Sequence, residues 1–457
     1  MNFEEHNGST VFKRQTEYNP GRNWRNFLIG RPLSTADAPH QTIGKTLGLA
    51  VFSSDAMSSV AYAPQEMLMI LAAAGVSAFN LSIPLALGIC GLLFILTLSY
   101  EQTIHAYPNG GGSYIVARDN LGKLPSLTAG AALLTDYILT VAVSIASGVA
   151  QLGSAFPVLS PHRIIIAIAL IMFVMLINLR GVKESGITFA IPTYFFILMM
   201  YAMVVVGFIR FFAGTLGLVD LPPTDVMDLH NTVQPVTIFL ILKAFSNGTS
   251  AVTGIEAISD GITAFKEPRS KNAGTTLIIM AIILGSMMVG ITVLAHLTGA
   301  LPSEHETLIS QIARTIFDNR GVFYLGTIAA TTIILVMAAN TAFADFPRLS
   351  AIAAADGYLP RQLTYRGSRL VYSKGIILLA MVASGLIIFT NASVSKLIPL
   401  YAIGVFLSFT ISQSGMARRW WKSGKLQPGQ EIKERGSVLK HDNGWKFKMI
   451  VNSLGAL

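Results

Sequence analysis

The sequence predicts an all-α membrane protein of ten spans, built as two five-span halves of opposite topology with the first span of each half broken. Three observations carry this. Hydrophobic residues make up 52% of the 457-residue chain and charged residues only 12%, against roughly 25% charged in a soluble domain, so most of the surface faces hydrocarbon. Windows of about 20 apolar residues fall near 47–73, 80–104, 125–156, 162–178, 186–213, 236–264, 274–300, 322–344, 375–391 and 394–414. The windows 47–73 and 236–264 are interrupted by polar clusters, which lipid tolerates only where unwound backbone lines a wet cavity or a binding site.

Residues 1–46 are polar, hold no apolar run of signal-peptide length, and read as a cytoplasmic tail. The first span carries Ser53-Ser54-Asp55 near its first third, then Pro64 and Glu66. After the second span, Pro108-Asn109-Gly110-Gly111-Gly112-Ser113-Tyr114 joins turn formers to an amphipathic stretch. It reads as a tight cytoplasmic turn; no Lys-Ser/Thr ending follows the glycines, so a phosphate cradle is excluded. The first half runs from about 47 to 213. The second, about 236–414, opens on a span interrupted by Ser246-Asn247-Gly248-Thr249-Ser250 and carrying Glu256 and Asp260. Residues 303–320 are polar enough for a short helix outside the bilayer. The segment 415–457 is basic, and an eleventh span begins at Trp445.

The net charge of +9 suggests either nucleic acid or an anionic surface, and the placement of the charges decides. With the amino terminus inside, twenty-seven of the 33 Lys and Arg residues fall in cytoplasmic segments. Only Arg163, Arg210, Arg314, Arg320 and Lys396 fall outside, and Lys243 lies within a span. Topology therefore accounts for the basic excess, and nucleic acid is not an expected partner. The expectation is a multi-pass cell-membrane protein with a cytoplasmic amino terminus, its partners being the lipid bilayer and whatever it carries. Cys90 is the sole cysteine, so no intrachain disulfide forms.

Sliding the chain by 192 residues sets Ser54-Asp55-Ala56-Met57-Ser58-Ser59-Val60 against Ser246-Asn247-Gly248-Thr249-Ser250-Ala251-Val252. Both segments interrupt the first span of a five-span block, and because five is odd the blocks point opposite ways, as in an inverted-repeat transporter. Unwound backbone at the midplane frees carbonyl oxygens and half-helix ends for an ion. Alternating access follows if one bundle rocks against the other.

Asp55, Glu66, Glu101, Asp136, Glu256, Asp260 and Asp345 lie within or at the edges of spans, against Lys243 as the one deep base. Such acids call for cations or protons as partners. Asp136 and Thr140 share a helix face that Ser144 continues; Tyr62 sits two turns beyond Asp55; Thr253 and Glu256 share a face after the second break. Oxygen ligands without thiolate, and with histidine only at His296, suit a hard or alkali cation and not zinc or copper. The plainer readings are buried structural pairs for Asp55, Asp136 and Glu256, and local or inter-helix hydrogen bonds for Tyr62, Thr140, Ser144 and Thr253. Asp260, Glu101 and His296 read as interfacial, and Glu66 either lines the outward vestibule or is structural. No motif points to an enzyme or to a resident cofactor.

The run Ser53-Ser54-Asp55-Ala56-Met57-Ser58-Ser59-Val60-Ala61-Tyr62 resembles the first-helix break of KimA-type potassium importers, in the KUP branch of the amino acid–polyamine–organocation superfamily. The resemblance extends through the Gly-Gly-Gly-Ser-Tyr loop, Asp136-Tyr137-Ile138-Leu139-Thr140, Thr253-Gly254-Ile255-Glu256-Ala257 and Tyr401. It implies a LeuT-like fold, proton-coupled potassium uptake across a bacterial plasma membrane, and ion ligands at Asp55, Tyr62, Asp136, Thr140, Thr253, Glu256 and Tyr401. Glu256, beside the second break, is the expected proton-coupling acid. The family's cytosolic domain, which binds cyclic di-AMP and forms the dimer, would lie beyond Leu457; nucleotide control is not carried over, and a homodimer stays open. The alternative is a proton-coupled amino acid or polyamine permease of the same superfamily. Amino-acid carriers typically dock the substrate carboxylate on a Gly-rich first break, where Asp55 would repel it; polyamines fit on charge.

Overall fold

In the computed structural model, which describes residues 43–110, 112–180, 186–219, 235–318, 320–367, 371–434 and 437–457, the first apolar stretch is cut into pieces. α1 (Lys45–Phe52) stops at Ser53, and α2 (Ser54–Ser58), a 3₁₀ turn (Ser59–Ala61) and α3 (Ala63–Ala72) follow. The serines explain the cuts. Ser53 Oγ donates to the Leu49 carbonyl, Ser58 Oγ to that of Asp55 at 2.7 Å and Ser59 Oγ to that of Ala56, offering the backbone partners other than its own ladder. Pro64 falls at the start of α3, where its missing N–H costs nothing.

Unbroken helices complete the first half: α4 (Ser82–Ala106), the short α5 (Ser113–Asn120), α6 (Lys123–Ala155), α7 (Arg163–Leu179) and α8 (Gly186–Phe212). The next apolar stretch breaks again, as α9 (Ile238–Gly248), a 3₁₀ turn (Thr249–Val252), extended Thr253, left-handed Gly254 and α10 (Ile255–Asp260). Then come α11 (Arg269–Thr298), α12 (Leu308–Ile316), α13 (Val322–Ala355), α14 (Ser373–Thr390) and α15 (Val394–Gly424). The chain closes on a hairpin of β1 (Glu431–Lys433) and β2 (Val438–Lys440), followed by α16 (Trp445–Ala456).

Among the described residues, nine helical stretches are long and apolar enough to cross a membrane. The tenth expected span is the first one: its leading helix has only 8 residues before the break. Leu87, Phe94, Ile165, Phe173, Leu242, Ile282, Phe389 and Ile403 stand exposed along these helices, as a lipid-facing surface requires. The short helix expected within 303–320 is α12. The hairpin is a departure from the all-helical expectation: Glu431 pairs with Lys440 both in register and by a 2.6 Å ion pair. α16 packs where the eleventh span was expected to begin, Asn452 accepting from Ser99 at 2.6 Å and donating to Gln102 at 2.7 Å. Of the amino-terminal tail, residues 1–42 lie outside the described residues.

Candidate functional site

The two breaks meet. Ser59 Oγ donates to the Ala251 carbonyl at 2.9 Å, and these two residues are 192 apart. Gly254 also packs tightly on the first break: a Cβ there would lie 2.6 Å from the Ala56 nitrogen and 2.9 Å from Asp55 Oδ2. Its φ of +78° is a conformation that suits glycine.

Beside this crossing lies a cavity of about 20 Å³, lined by Asp55, Asp136, Thr253, Glu256, Asp345 and Ser408 among others, roughly the space one water-sized particle occupies. Asp55 Oδ1 and Asp136 Oδ1 are buried without a hydrogen-bond partner. Next to the acids is a set of hydroxyls. Tyr401 and Thr140 hydroxyls are 3.2 Å apart, the Tyr62 hydroxyl reaches toward those of Thr253 and Tyr401, and Asp55 is within electrostatic reach of both tyrosines. Tyr62, Thr140, Thr253 and Tyr401 are all at least 96% buried. Two orphaned carboxylate oxygens against a ring of hydroxyls form a pocket with surplus acceptors, which a small cation satisfies.

Among the described residues, no ion pair joins Asp55, Asp136 or Glu256 to Lys or Arg, and Asp345 lies 3.6 Å from Arg348. Lys243, expected deep in its span, stands exposed on α9, while Leu240, Ala244, Asn247 and Gly248 take the buried face. Among the described residues there is also no group of three or more His, Cys, Asp and Glu side chains arranged for a metal.

Glu256 behaves differently from the other acids. Its Oε1 accepts from both the backbone N–H and the Oγ of Ser113, each at 2.5 Å, and its Oε2 accepts from Ser408 Oγ at 3.2 Å. Ser408 Oγ also lies 2.8 Å from Ser113 Oγ, so its one proton is shared between the two acceptors. Ser113 is the first residue of α5, whose cap, Gly112, has no side chain to offer; Glu256 supplies that carboxylate from 143 residues away. One side chain thus ties the second break to α5 and α15.

All seven expected site residues converge here: Asp55, Asp136, Thr253 and Glu256 on the cavity, and Tyr62, Thr140 and Tyr401 in the adjoining hydroxyl set. Ser144 continues the α6 stripe, but its Oγ makes no hydrogen bond. Asp260, read as interfacial, faces the Tyr137 hydroxyl at 3.4 Å, and Glu101 pairs with His105 on the exposed end of α4. Sequence reasoning left out Ser113 and Ser408 and gave Asp345 no role. Ser113 stands in a run read as a turn, and only its helix-opening position hinted at an acidic partner.

Paired breaks around a buried acidic pocket, inside a bundle of membrane-length helices, define a membrane permease. The chain belongs to the amino acid permease family, whose model matches residues 45–457, and it is a multi-pass membrane protein. It is 46% identical over 433 residues to "Potassium transporter KimA" of Bacillus subtilis (strain 168), covering 95% of this chain and 68% of that protein. It is also 28% identical over 137 residues to "Cationic amino acid transporter 6, chloroplastic" of Arabidopsis thaliana, covering 27% of this chain and 23% of that one. Both relatives are transporters by name, not enzymes.

Proposed function

We propose that the chain is a secondary active transporter that imports potassium with protons by alternating access, in a LeuT-like arrangement of two inverted five-helix repeats with a cytoplasmic amino terminus. The observation that carries the reading is the acidic pocket at the crossing of the two breaks, with its two orphaned carboxylate oxygens. The 192-residue offset of the touching pair Ser59 and Ala251 supports the repeat, and the potassium transporter at 46% identity supports the cargo. In this reading Asp55 and Asp136 supply charge, and Tyr62, Thr140, Thr253 and Tyr401 replace the ion's hydration shell. A membrane potential adds about 2.3 kcal/mol per charge per 100 mV to inward movement.

Glu256 is the coupling acid of this mechanism. As a carboxylate it clamps α5 and α15 to the second break by charge-assisted hydrogen bonds; as a neutral acid it accepts more weakly. Proton arrival then loosens the clamp and favours release of the ion to the cytoplasm. The test is rubidium uptake into proteoliposomes as a function of external pH. Glu256→Gln is expected to remove the pH dependence while leaving rubidium binding measurable, and a pH profile equal to wild type overturns the assignment. Competition separates potassium from an amine cargo: potassium is expected to suppress rubidium uptake and putrescine not to, and the reverse order would favour a polyamine permease.

A further inference from the structure

A second acidic position lies between the outer solution and the hydroxyl set. Glu66 sits one helical turn past Tyr62 on α3, its backbone N–H bonded to the Tyr62 carbonyl at 3.0 Å, and only 1% of it is exposed. Its Oε1 accepts from Ser395 Oγ of α15 at 2.9 Å. Its Oε2 is buried without any hydrogen-bond partner. The charge that acts on Glu66 is another acid, Glu304, whose Oε1 accepts from Ser393 Oγ at 3.3 Å. Glu304 is exposed while Glu66 is buried, so the two carboxylates form a graded step from solution inward. The neighbouring loop is held in place: Gln65 Nε2 donates to the Ser303 carbonyl at 2.9 Å, and Gln65 Oε1 accepts from Leu308 N–H at 2.9 Å.

We propose that Glu66 and Glu304, with the hydroxyls of Ser395 and Ser393, form an outer cation-binding site that an alkali ion occupies before it reaches Tyr62 and Tyr401. An orphaned carboxylate oxygen in a dry position beside a second acid lacks a positive partner, and a partly dehydrated monovalent cation supplies one. The Ser395–Glu66 bond joins α15, which carries Tyr401, to α3, which follows Tyr62, so a cation there binds the two elements that hold both tyrosines. The inference rests on the transport reading for its direction of travel, but not for the existence of the site.

The test is saturation binding of radioactive rubidium to the purified full chain in detergent, in an Asp55→Asn background that disables the central site. Asp55→Asn protein is expected to keep a saturable, potassium-competed site, and Asp55→Asn/Glu66→Gln to lose it. No saturable binding in Asp55→Asn, or undiminished binding in the double variant, overturns the proposal. If the double variant does not fold, Ser395→Ala in the same background removes one ligand without touching the acid; it is expected to weaken binding about fivefold, and unchanged affinity overturns the proposal. In proteoliposomes Glu66→Gln alone is expected to raise the KM for external rubidium about tenfold, and an unchanged KM counts against the site. Binding by a wild-type chain that carries no rubidium would sink the transport reading and leave the outer site standing.

Discussion

Replacing Gly254 with alanine adds one methyl group where the second break packs against Asp55 and Ala56 of the first. The residue holds φ +78°, where an L side chain costs about 1–2 kcal/mol. The new Cβ would stand 2.6 Å from the Ala56 nitrogen, 2.9 Å from Asp55 Oδ2 and 3.1 Å from the Ala56 Cα, against ordinary carbon contacts of about 3.5–4.0 Å. Two of those three atoms are backbone and cannot swing aside, so the breaks must part or Gly254 must abandon its conformation. Overpacking of this kind typically costs about 1–3 kcal/mol, which with the backbone term gives roughly 2–5 kcal/mol. If only about 1.4 kcal/mol falls on the ion-bound form, affinity drops about tenfold. Rubidium uptake against external concentration, with the melting temperature of the purified protein, reads both consequences. A matched control is Gly385→Ala on exposed α14, where a Cβ meets nothing within 4 Å; there the helix is expected to gain about 0.5–1 kcal/mol. Gly254→Ala with the KM and melting temperature of wild type would refute the claim that this glycine sets the distance between the breaks.

Asp55→Asn removes one of the two carboxyl groups with an unpartnered oxygen while keeping size; at an effective dielectric of about 20, a carboxylate and a cation about 4 Å apart attract by about 4 kcal/mol. Growth of a potassium-uptake-deficient bacterium on scarce potassium should then fail, and rubidium affinity should fall by two orders of magnitude or more; near-normal growth would remove Asp55 from the site. Tyr401→Phe and Thr140→Val each delete one hydroxyl of a 3.2 Å pair and should each weaken binding by about 1 kcal/mol. The double variant should lose less than the sum, which additive losses in a double-mutant cycle would contradict. Arg419 is 2% exposed and pairs with Glu434 at 2.6 Å, so Glu434→Gln leaves a buried guanidinium underpartnered and should destabilise the carboxy-terminal region by about 3 kcal/mol; unchanged protease resistance of that region would show the hairpin to be dispensable.

The parts of the site that sequence could reveal are those written in local spacing or internal symmetry. The breaks were legible because serine, asparagine and glycine runs are conspicuous in apolar windows, and the 192-residue offset that aligned them joins residues in direct contact, Ser59 and Ala251. The face shared by Asp136 and Thr140 follows from helical period alone. Ser113 and Ser408 were invisible for a different reason: each matters only through Glu256, at separations of 143 and 152 residues, and nothing local distinguishes them from other serines. Lys243 was misplaced by depth alone. Three residues after Leu240 and four before Asn247, it borders the buried stripe of Leu240, Ala244, Asn247 and Gly248, so helical period alone could not tell an exposed position from a buried one there. The hairpin escaped because a three-residue strand is too short for alternation to register.

Glu256 admits two physical roles, and they separate under mutation. As a structural cap it would fix the N-terminus of α5, a role worth about 0.5–2 kcal/mol in helix stability and indifferent to the ion. As a coupling group its charge state decides whether α5 and α15 stay clamped to the break that also carries Thr253 and Gly254. Glutamine preserves an acceptor for the Ser113 N–H and removes only the titration, whereas Ser113→Ala removes the hydroxyl bond and leaves both the titration and the backbone N–H bond in place. A cap predicts that both variants keep the pH profile of uptake, whatever stability each loses. Coupling predicts that Glu256→Gln flattens the profile with little loss of stability, while Ser113→Ala keeps a profile displaced in pH, because the carboxylate has lost one of its charge-stabilising donors. That displacement has a required direction: losing a donor to the ionised form raises the affinity for the proton, so the midpoint must move to higher pH. A midpoint that stays put, or moves lower, would return Glu256 to the status of a cap.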